Sequence, residues 1–484
     1  RYDKFNSKTE KNISDEDRAF DEAKTPDNEQ EIEEADEDIS VKAHTRKKSG
    51  SENKKKGRKP LPDNLPRQEI LYDINDKDKI CSCGIPLSPL KDSVCEQLEI
   101  IPAKLFVKRH VRKNYCCSHC DNKFNSALMP NLPIPRSIAA EGLLSHILVS
   151  KFQDHLPLYR MEMILQRIGI DIARATLCSW VIKCAKLLNP MYELLKQNII
   201  DYDVSFADET TVQVLKEKDR KASSKSYMWV FGGGNPDKFC YIYNYSKSRS
   251  HEVPLEILDG FTGYLHCDGY SGYDALSNKT EVSLVACWYH ARRKFIDVQK
   301  ATKKSGGLSG QFLDIIKKLA KIEAIAKDEN LTPKARYQLR QEKAKPLLLK
   351  YKEILDKSIS TAPPTSLIGK GMKYCLNQWP KLIKYLEDGR LEISNNLMER
   401  KVKPFVIGRK NWLFYDSVSG AEAGSIIYSL IETCKEHNIE PYYWFKYTLS
   451  KIHELDTAEK LTEYLPYNID NELLDPKILN PVVD

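Results

Sequence analysis

Val204-Ser205-Phe206-Ala207-Asp208-Glu209-Thr210-Thr211-Val212-Gln213-Val214-Leu215 is rich in β-branched and aromatic residues and predicts a strand, with Asp208 in Phe-Ala-Asp-Glu-Thr read at its end. Four more short runs of this character follow between turns: Tyr227–Gly232, Phe239–Tyr245, Gly263–Cys267 and Val282–Trp288. Asp268, in Leu-His-Cys-Asp-Gly-Tyr, closes the fourth. Helices are expected after Arg249 and over Tyr289–Lys300, so the strands join first as a meander and then through helices. That order predicts a mixed α/β sheet. Functional groups in such sheets collect outside strand ends, where two central strands can bring Asp208 and Asp268 together. Adjacent carboxylates repel, and a pair of Mg²⁺ ions relieves the repulsion while organising a two-metal phosphoryl-transfer site.

Downstream, residues 301–385 change character to Lys-rich amphipathic helices, notably Phe312–Lys327 and Lys334–Ser358, and read as an all-helical insertion in the catalytic domain. The domain resumes over residues 386–446, with a helix around Asn395–Lys401, an extended Trp412–Tyr415 and a helix over Ala421–His437; residues 447–484 form a C-terminal tail. Upstream, residues 136–200 read as helical. Leu158–Ile168, a break at Gly169 and a new helix from Ala173 to Leu188 give a helix-turn-helix arrangement, with Arg174 and Thr176 where base edges are read. An ordinary helical hairpin has the same spacing. Residues 67–135 hold Cys81-Ser-Cys83 and Cys117-Ser-His-Cys120 around two expected strands, Val94–Pro102 and Lys104–Tyr115. Two such knuckles can offer four thiolates to one structural zinc, with Cys95, Cys116, His110 and His119 as possible substitutes. Residues 1–66 carry an acidic block and then a basic one, Lys42–Lys59, with few apolar residues, and are expected to form a disordered arm.

The 484 residues allow about three domains. A balance of 75 basic against 68 acidic residues, net +7, leans mildly toward polyanions. No stretch approaches the ~18 uninterrupted apolar residues of a membrane span, and the N-terminus has no apolar signal core, so a cytoplasmic protein without a membrane partner is expected. Most of the thirteen cysteines lie singly in apolar runs and read as buried small hydrophobes, which argues against a disulfide scaffold.

Several motifs together resemble the transposase of the insertion-sequence-66 family: Ala207-Asp-Glu-Thr210, Cys267-Asp-Gly-Tyr270, Cys287-Trp-Tyr-His-Ala-Arg-Arg293, Asn395-Asn-Leu-Met-Glu-Arg400, Gly408-Arg-Lys-Asn-Trp-Leu-Phe414 and His155-Leu-Pro-Leu-Tyr-Arg160. The similarity runs from about Gly57 to the end, with several motifs in family order. The resemblance implies a ribonuclease-H-like core with a DDE triad of Asp208, Asp268 and Glu399, separated by 60 and 131 residues, holding two Mg²⁺ (or Mn²⁺) ions. It also implies a zinc module on Cys81, Cys83, Cys117 and Cys120. One departure is that Ser394-Asn395-Asn396 stands where the family has Asp-Asn-Asn. Glu392 and Glu422 compete with Glu399 as the third acid.

His290, Arg292, Arg293, Arg400, Lys401, Arg409 and Lys410 are expected on the DNA backbone, and Trp412 on an unpaired base, with core packing as its alternative. The implied protein is a bacterial, nucleoid-associated homo-oligomer that cuts insertion-sequence ends and joins them to target DNA, with possible helper proteins. Two rivals remain: a nuclease of the same fold that does not join strands, and an inactive zinc and helix-turn-helix regulator.

Overall fold

The computed structural model describes residues 105–116, 124–279, 281–304 and 306–479. The arm at 1–66, the strand expected at Val94–Pro102 and the zinc candidates Cys81, Cys83, Cys117 and Cys120 lie outside these residues. The described residues divide between 127 and 128 into two units. In the first, β1 (Asn114–Cys116) pairs antiparallel with β2 (Phe124–Ser126), and the Ser126 hydroxyl donates to Asn114 Oδ1 at 2.6 Å. Of the expected strand Lys104–Tyr115, only its last two residues join this ladder.

The second unit begins with α1 (Glu141–Phe152), α2 (Leu158–Arg167) and α3 (Arg174–Ile200). Gly169, at φ +82°, ends α2 and lets the Ile170 N–H return to the Leu165 carbonyl at 2.9 Å. α3 outruns its expected end at Leu188 and passes through Pro190. Buried Leu188, Met191, Tyr192, Leu195 and Ile199 continue one apolar face beyond the proline and hold the helix together.

The main sheet has the order β5-β4-β3-β6-β7, from β3 (Val204–Lys216), β4 (Lys225–Gly233), β5 (Cys240–Ser246), β6 (Gly263–Cys267) and β7 (Val282–Ala286). β3, β4 and β5 form the antiparallel meander; β6 and β7 add in parallel after α4 (Glu252–Ile257) and α5 (Asp274–Lys279). β7 stops at Ala286, because Trp288 opens α6 (Trp288–Thr302) with its ring in the core.

The insertion comprises α7 (Gly307–Asp328), α8 (Pro333–Leu339), α9 (Lys345–Ile359) and α10 (Leu367–Leu382). The single helix expected over Lys334–Ser358 is broken by a π turn at Arg340–Ala344, where the Arg340 side chain is driven wholly inside. Trp288, Phe295, Phe312, Tyr351 and Trp379 pack edge to face, obliquely and, for Tyr351 on Trp379, in parallel, so the insertion shares an aromatic core with α6.

The chain returns in α11 (Asn396–Trp412), β8 (Tyr415–Ser417) and α12 (Val418–Glu436), then α13 (Pro441–Lys451), α14 (Ala458–Glu463) and α15 (Pro476–Leu479). Trp412 therefore ends a helix rather than starting the extended segment, which falls on Tyr415–Ser417 beside β3. α11 lies so close on β4 that a Cβ at Gly232 would stand 2.8 Å from Met398 Sδ.

α12 closes the sheet along β5. Its buried hydroxyls Thr433, Ser429 and Ser425 accept the outward N–H groups of Tyr241, Tyr243 and Tyr245 at 3.1, 2.8 and 3.0 Å. A spacing of four on the helix thus meets a spacing of two on the strand. Ser429→Ala should orphan the buried Tyr243 N–H and cost ~1–3 kcal/mol, read as a lower melting temperature. An unchanged melt would mean that the strand edge does not need this hydroxyl.

Candidate active site

β3 and β6 pair in register from Val204↔Tyr264 to Phe206↔His266. Asp208 and Asp268 keep the same offset of 60 residues and lie two positions beyond the last pair. Asp208 is thus the fifth residue of a long strand; what ends beside it is the parallel ladder. With neighbouring strands ~4.8 Å apart, this register sets the two carboxyls side by side. Local backbone steadies each: Asp208 Oδ1 accepts the Glu209 N–H at 2.9 Å and Asp268 Oδ1 the Tyr270 N–H at 2.8 Å. Asp268 leads into Gly269, where a Cβ would meet the Tyr374 ring of α10 at 2.8 Å.

Glu399 arrives from the other side, in the first turn of α11, where the helix dipole favours an anion. The Asn395 amide just ahead donates to the Ala207 carbonyl at 2.9 Å, tying the start of α11 to the residue before Asp208. The Glu399 side chain is only 6% exposed, and neither carboxylate oxygen has a hydrogen-bond partner. His290 Nε2 stands 3.8 Å from one oxygen and Arg293 Nη2 3.9 Å from the other.

The electrostatics join these groups. Burial, then Glu209, Asp268 and Glu399, push the Asp208 carboxyl well above its ordinary value. Burial also raises Glu399, with Arg293 opposing and Asp268 adding to the rise. Such crowding suits a divalent cation, because carboxylate oxygens are hard donors and both buried Glu399 oxygens lack hydrogen bonds. Asp208, Asp268 and Glu399 are linked electrostatically, while the group of metal-capable atoms within 4.8 Å of one another among the described residues is Cys287, His290 and Glu399.

The other acids are placed differently. Glu392 is paired with Arg336 at 2.9 Å, and Glu422 is exposed. Among the basic candidates, Arg293 is 48% exposed beside Glu399, Arg292 is half-buried, and Arg400 and Lys410 are exposed. Lys401 is engaged by Glu432 and Glu436 at 3.4 and 3.2 Å, and Arg409 by the carbonyl and hydroxyl of Thr211. Trp412, 8% exposed, packs against Phe405 and Tyr415. These three are committed to the fold. Arg174 and Thr176 are exposed at the start of α3, where Glu162 accepts the Arg174 N–H at 2.9 Å. His290 faces Glu399, and burial, then Arg293, hold its imidazole down to about 4.

Sequence reasoning gave no role to Glu209 and left Arg249 unassigned. Glu209 is buried on the opposite face of β3, paired with Arg249 and accepting the Tyr273 hydroxyl at 2.6 Å. The Arg249 guanidinium lies 3.9 Å from the Tyr270 ring centroid, so this cluster braces the Asp268 loop from below. Its signal was the adjacency of Glu209 to Asp208 and of Tyr270 and Tyr273 to Asp268.

Comparison with known proteins gives the family. Residues 136–423 match the model of the Transposase IS66 family, and residues 429–467 match the IS66 C-terminal element. Residues 78–121 match the zinc-finger binding domain of transposase IS66, and residues 2–70 the model described as Transposase C of IS166 homeodomain. Uncharacterized protein y4jD of Sinorhizobium fredii (strain NBRC 101917 / NGR234) is 32% identical over 452 residues, covering 89% of this chain and 87% of its own. Uncharacterized protein y4hP of the same strain is 30% identical over 447 residues, covering 88% and 78%. The chain belongs to the IS66 transposase family, and none of its described helices is long and apolar enough to cross a membrane.

A carboxyl raised in the folded state adds stability below its unfolded value and removes it as pH rises through the folded value. Metal-free Asp208→Asn should therefore melt above the metal-free wild type at neutral pH, with the gap closing toward pH ~4. Equal melting curves across that range would show that Asp208 is not crowded.

Proposed function

We propose that the protein is a DDE transposase with a ribonuclease-H-like core, which cuts DNA at the ends of its element and joins the freed 3′ hydroxyl to target DNA. The observation that carries this reading is the buried Glu399 carboxylate, without hydrogen bonds, electrostatically coupled to two aspartates two positions beyond one strand register. The strand order, a three-stranded antiparallel meander followed by two parallel strands, supports the fold assignment.

Two bound divalent ions would supply an activated attacking oxygen and neutralise the leaving one. The protein's own contribution is placement. β3 and β6 hold Asp208 and Asp268 abreast, α11 presents Glu399 through its first turn, and Arg293 stands where a phosphate would approach. Positioning and charge stabilisation carry most of phosphoryl transfer, so no covalent protein intermediate is needed. In this reading Arg292, Arg293, Arg400 and Lys410 grip the backbone, with the basic arm Lys42–Lys59. Arg174 and Thr176 read bases at the element ends. Residues 67–135 form the zinc module, 136–200 the end-binding domain, and 201–300 with 386–446 the core, interrupted by the insertion 301–385. The active form is a homo-oligomer on DNA, aided by any helper proteins of the same element.

Asp208→Asn, Asp268→Asn and Glu399→Gln should each lower cleavage of labelled element ends by at least ~10²–10³, while end binding persists. Glu392→Gln and Glu422→Gln should cleave normally. A pre-cut labelled end offered with plasmid DNA should be joined by the wild type; hydrolysis without joining would make the protein a nuclease instead. Elemental analysis should find about one zinc per chain, lost in Cys117→Ser and Cys120→Ser. Zinc-free protein with normal stability would remove that module from the reading.

A further inference from the structure

Cys287 follows β7 and caps the start of α6, and His290 lies one turn on, so their side chains share a face. That face meets the first turn of α11, because the Trp288 N–H donates to the Ile393 carbonyl at 3.1 Å and holds the two helix starts together. As a result Cys287 Sγ, a His290 ring nitrogen and a Glu399 carboxylate oxygen all lie within 4.8 Å of one another.

The polar atoms here are not satisfied by each other. His290 Nε2 and Glu399 Oε1 are 3.8 Å apart, beyond a hydrogen bond, while His290 Nδ1 and both Glu399 oxygens are buried without partners. Two ligands of one ion, each ~2.0–2.2 Å from it, stand about 3–4 Å apart, which is the separation found. The triad accounts for Glu399 but leaves the imidazole beside it without a role.

We propose that His290 is a fourth protein ligand of the active site, sharing with Glu399 the ion on the helical side, with the Cys287 sulfur closing the pocket behind it. The inference rests on the triad reading. Its chemical consequence is ion selectivity. Mg²⁺ strongly prefers oxygen donors in near-ideal octahedral geometry, whereas an imidazole nitrogen suits transition-metal ions, of which Mn²⁺ also accepts the carboxylates. The position at Glu399 should take Mn²⁺ over Mg²⁺.

The test is Mn²⁺ binding to the full chain, followed by electron paramagnetic resonance, for wild type, His290→Gln, His290→Ala and Asp208→Asn. Wild type should show nitrogen modulation from a directly bound imidazole. Both His290 variants should lose that signal and bind Mn²⁺ about tenfold more weakly, with Mg²⁺ competition far less changed. Circular dichroism confirms that at least one His290 variant is folded. Nitrogen modulation and affinity unchanged in the folded His290 variant, with binding lost in Asp208→Asn, would overturn the ligand assignment alone. Wild-type Mn²⁺ binding by Asp208→Asn would instead overturn the triad reading beneath it.

Discussion

All five N–H bonds of Arg340 are used inside the protein, and the position of Glu399 depends on them. Two meet the Glu323 carboxylate at 2.8 Å, and three meet the carbonyls of Tyr385, Asp388 and Leu391 at 2.7–2.8 Å. Those carbonyls belong to the irregular stretch that brings the chain back from the insertion to α11. Further along, the Glu392 N–H reaches His266 Nε2 at 3.3 Å, the Ile393 carbonyl takes the Trp288 N–H, and Asn395 grips Ala207. A segment with no ladder of its own is thus fastened at nearly every residue, as buried backbone requires. Removing one partner of a buried ion pair costs ~3–5 kcal/mol, so the insertion is structurally part of the catalytic domain.

The site is held against its own charge. Asp208, Glu209 and Glu399 are all raised by burial first and by neighbouring carboxyls next, with Arg249 opposing at Glu209 and Arg293 at Glu399. The cost is met by the surrounding scaffold: the β3 register, the dipole of α11 and the Tyr374 ring over Gly269 leave the carboxyls little freedom to separate. In the proposed reading, stability is given up locally for a preorganised cation site.

The strands of the sheet were legible as short β-branched and aromatic runs between turns, a composition that suits strands buried on both faces. Asp208 and Asp268 were read only from their places at expected strand ends; which strands pair, and with what offset, came from the structure. Glu399 was reached only through motif resemblance; nothing in residues 269–398 announces which later helix will face the sheet. The π turn at Arg340 was not legible, because the pattern around it is an ordinary amphipathic helix and the buried guanidinium makes sense only beside the carbonyls it serves. For the same reason Arg409, Lys401 and Trp412 read as DNA contacts. A basic or aromatic residue looks the same in sequence whether it meets a phosphate, Thr211, Glu432 or Phe405.

The hydroxyl row of α12 bears on what shortened copies of this chain can be. A fragment that stops before Ser425 keeps every strand of the sheet but presents β5 with its alternate N–H groups bare, beside the exposed faces of Tyr241 and Tyr243. Such an edge invites strand addition from another molecule. Truncated copies of the gene should therefore yield self-associating, insoluble protein rather than soluble competitors for DNA, whereas with α12 present the outward N–H groups of Tyr241, Tyr243 and Tyr245 are already taken.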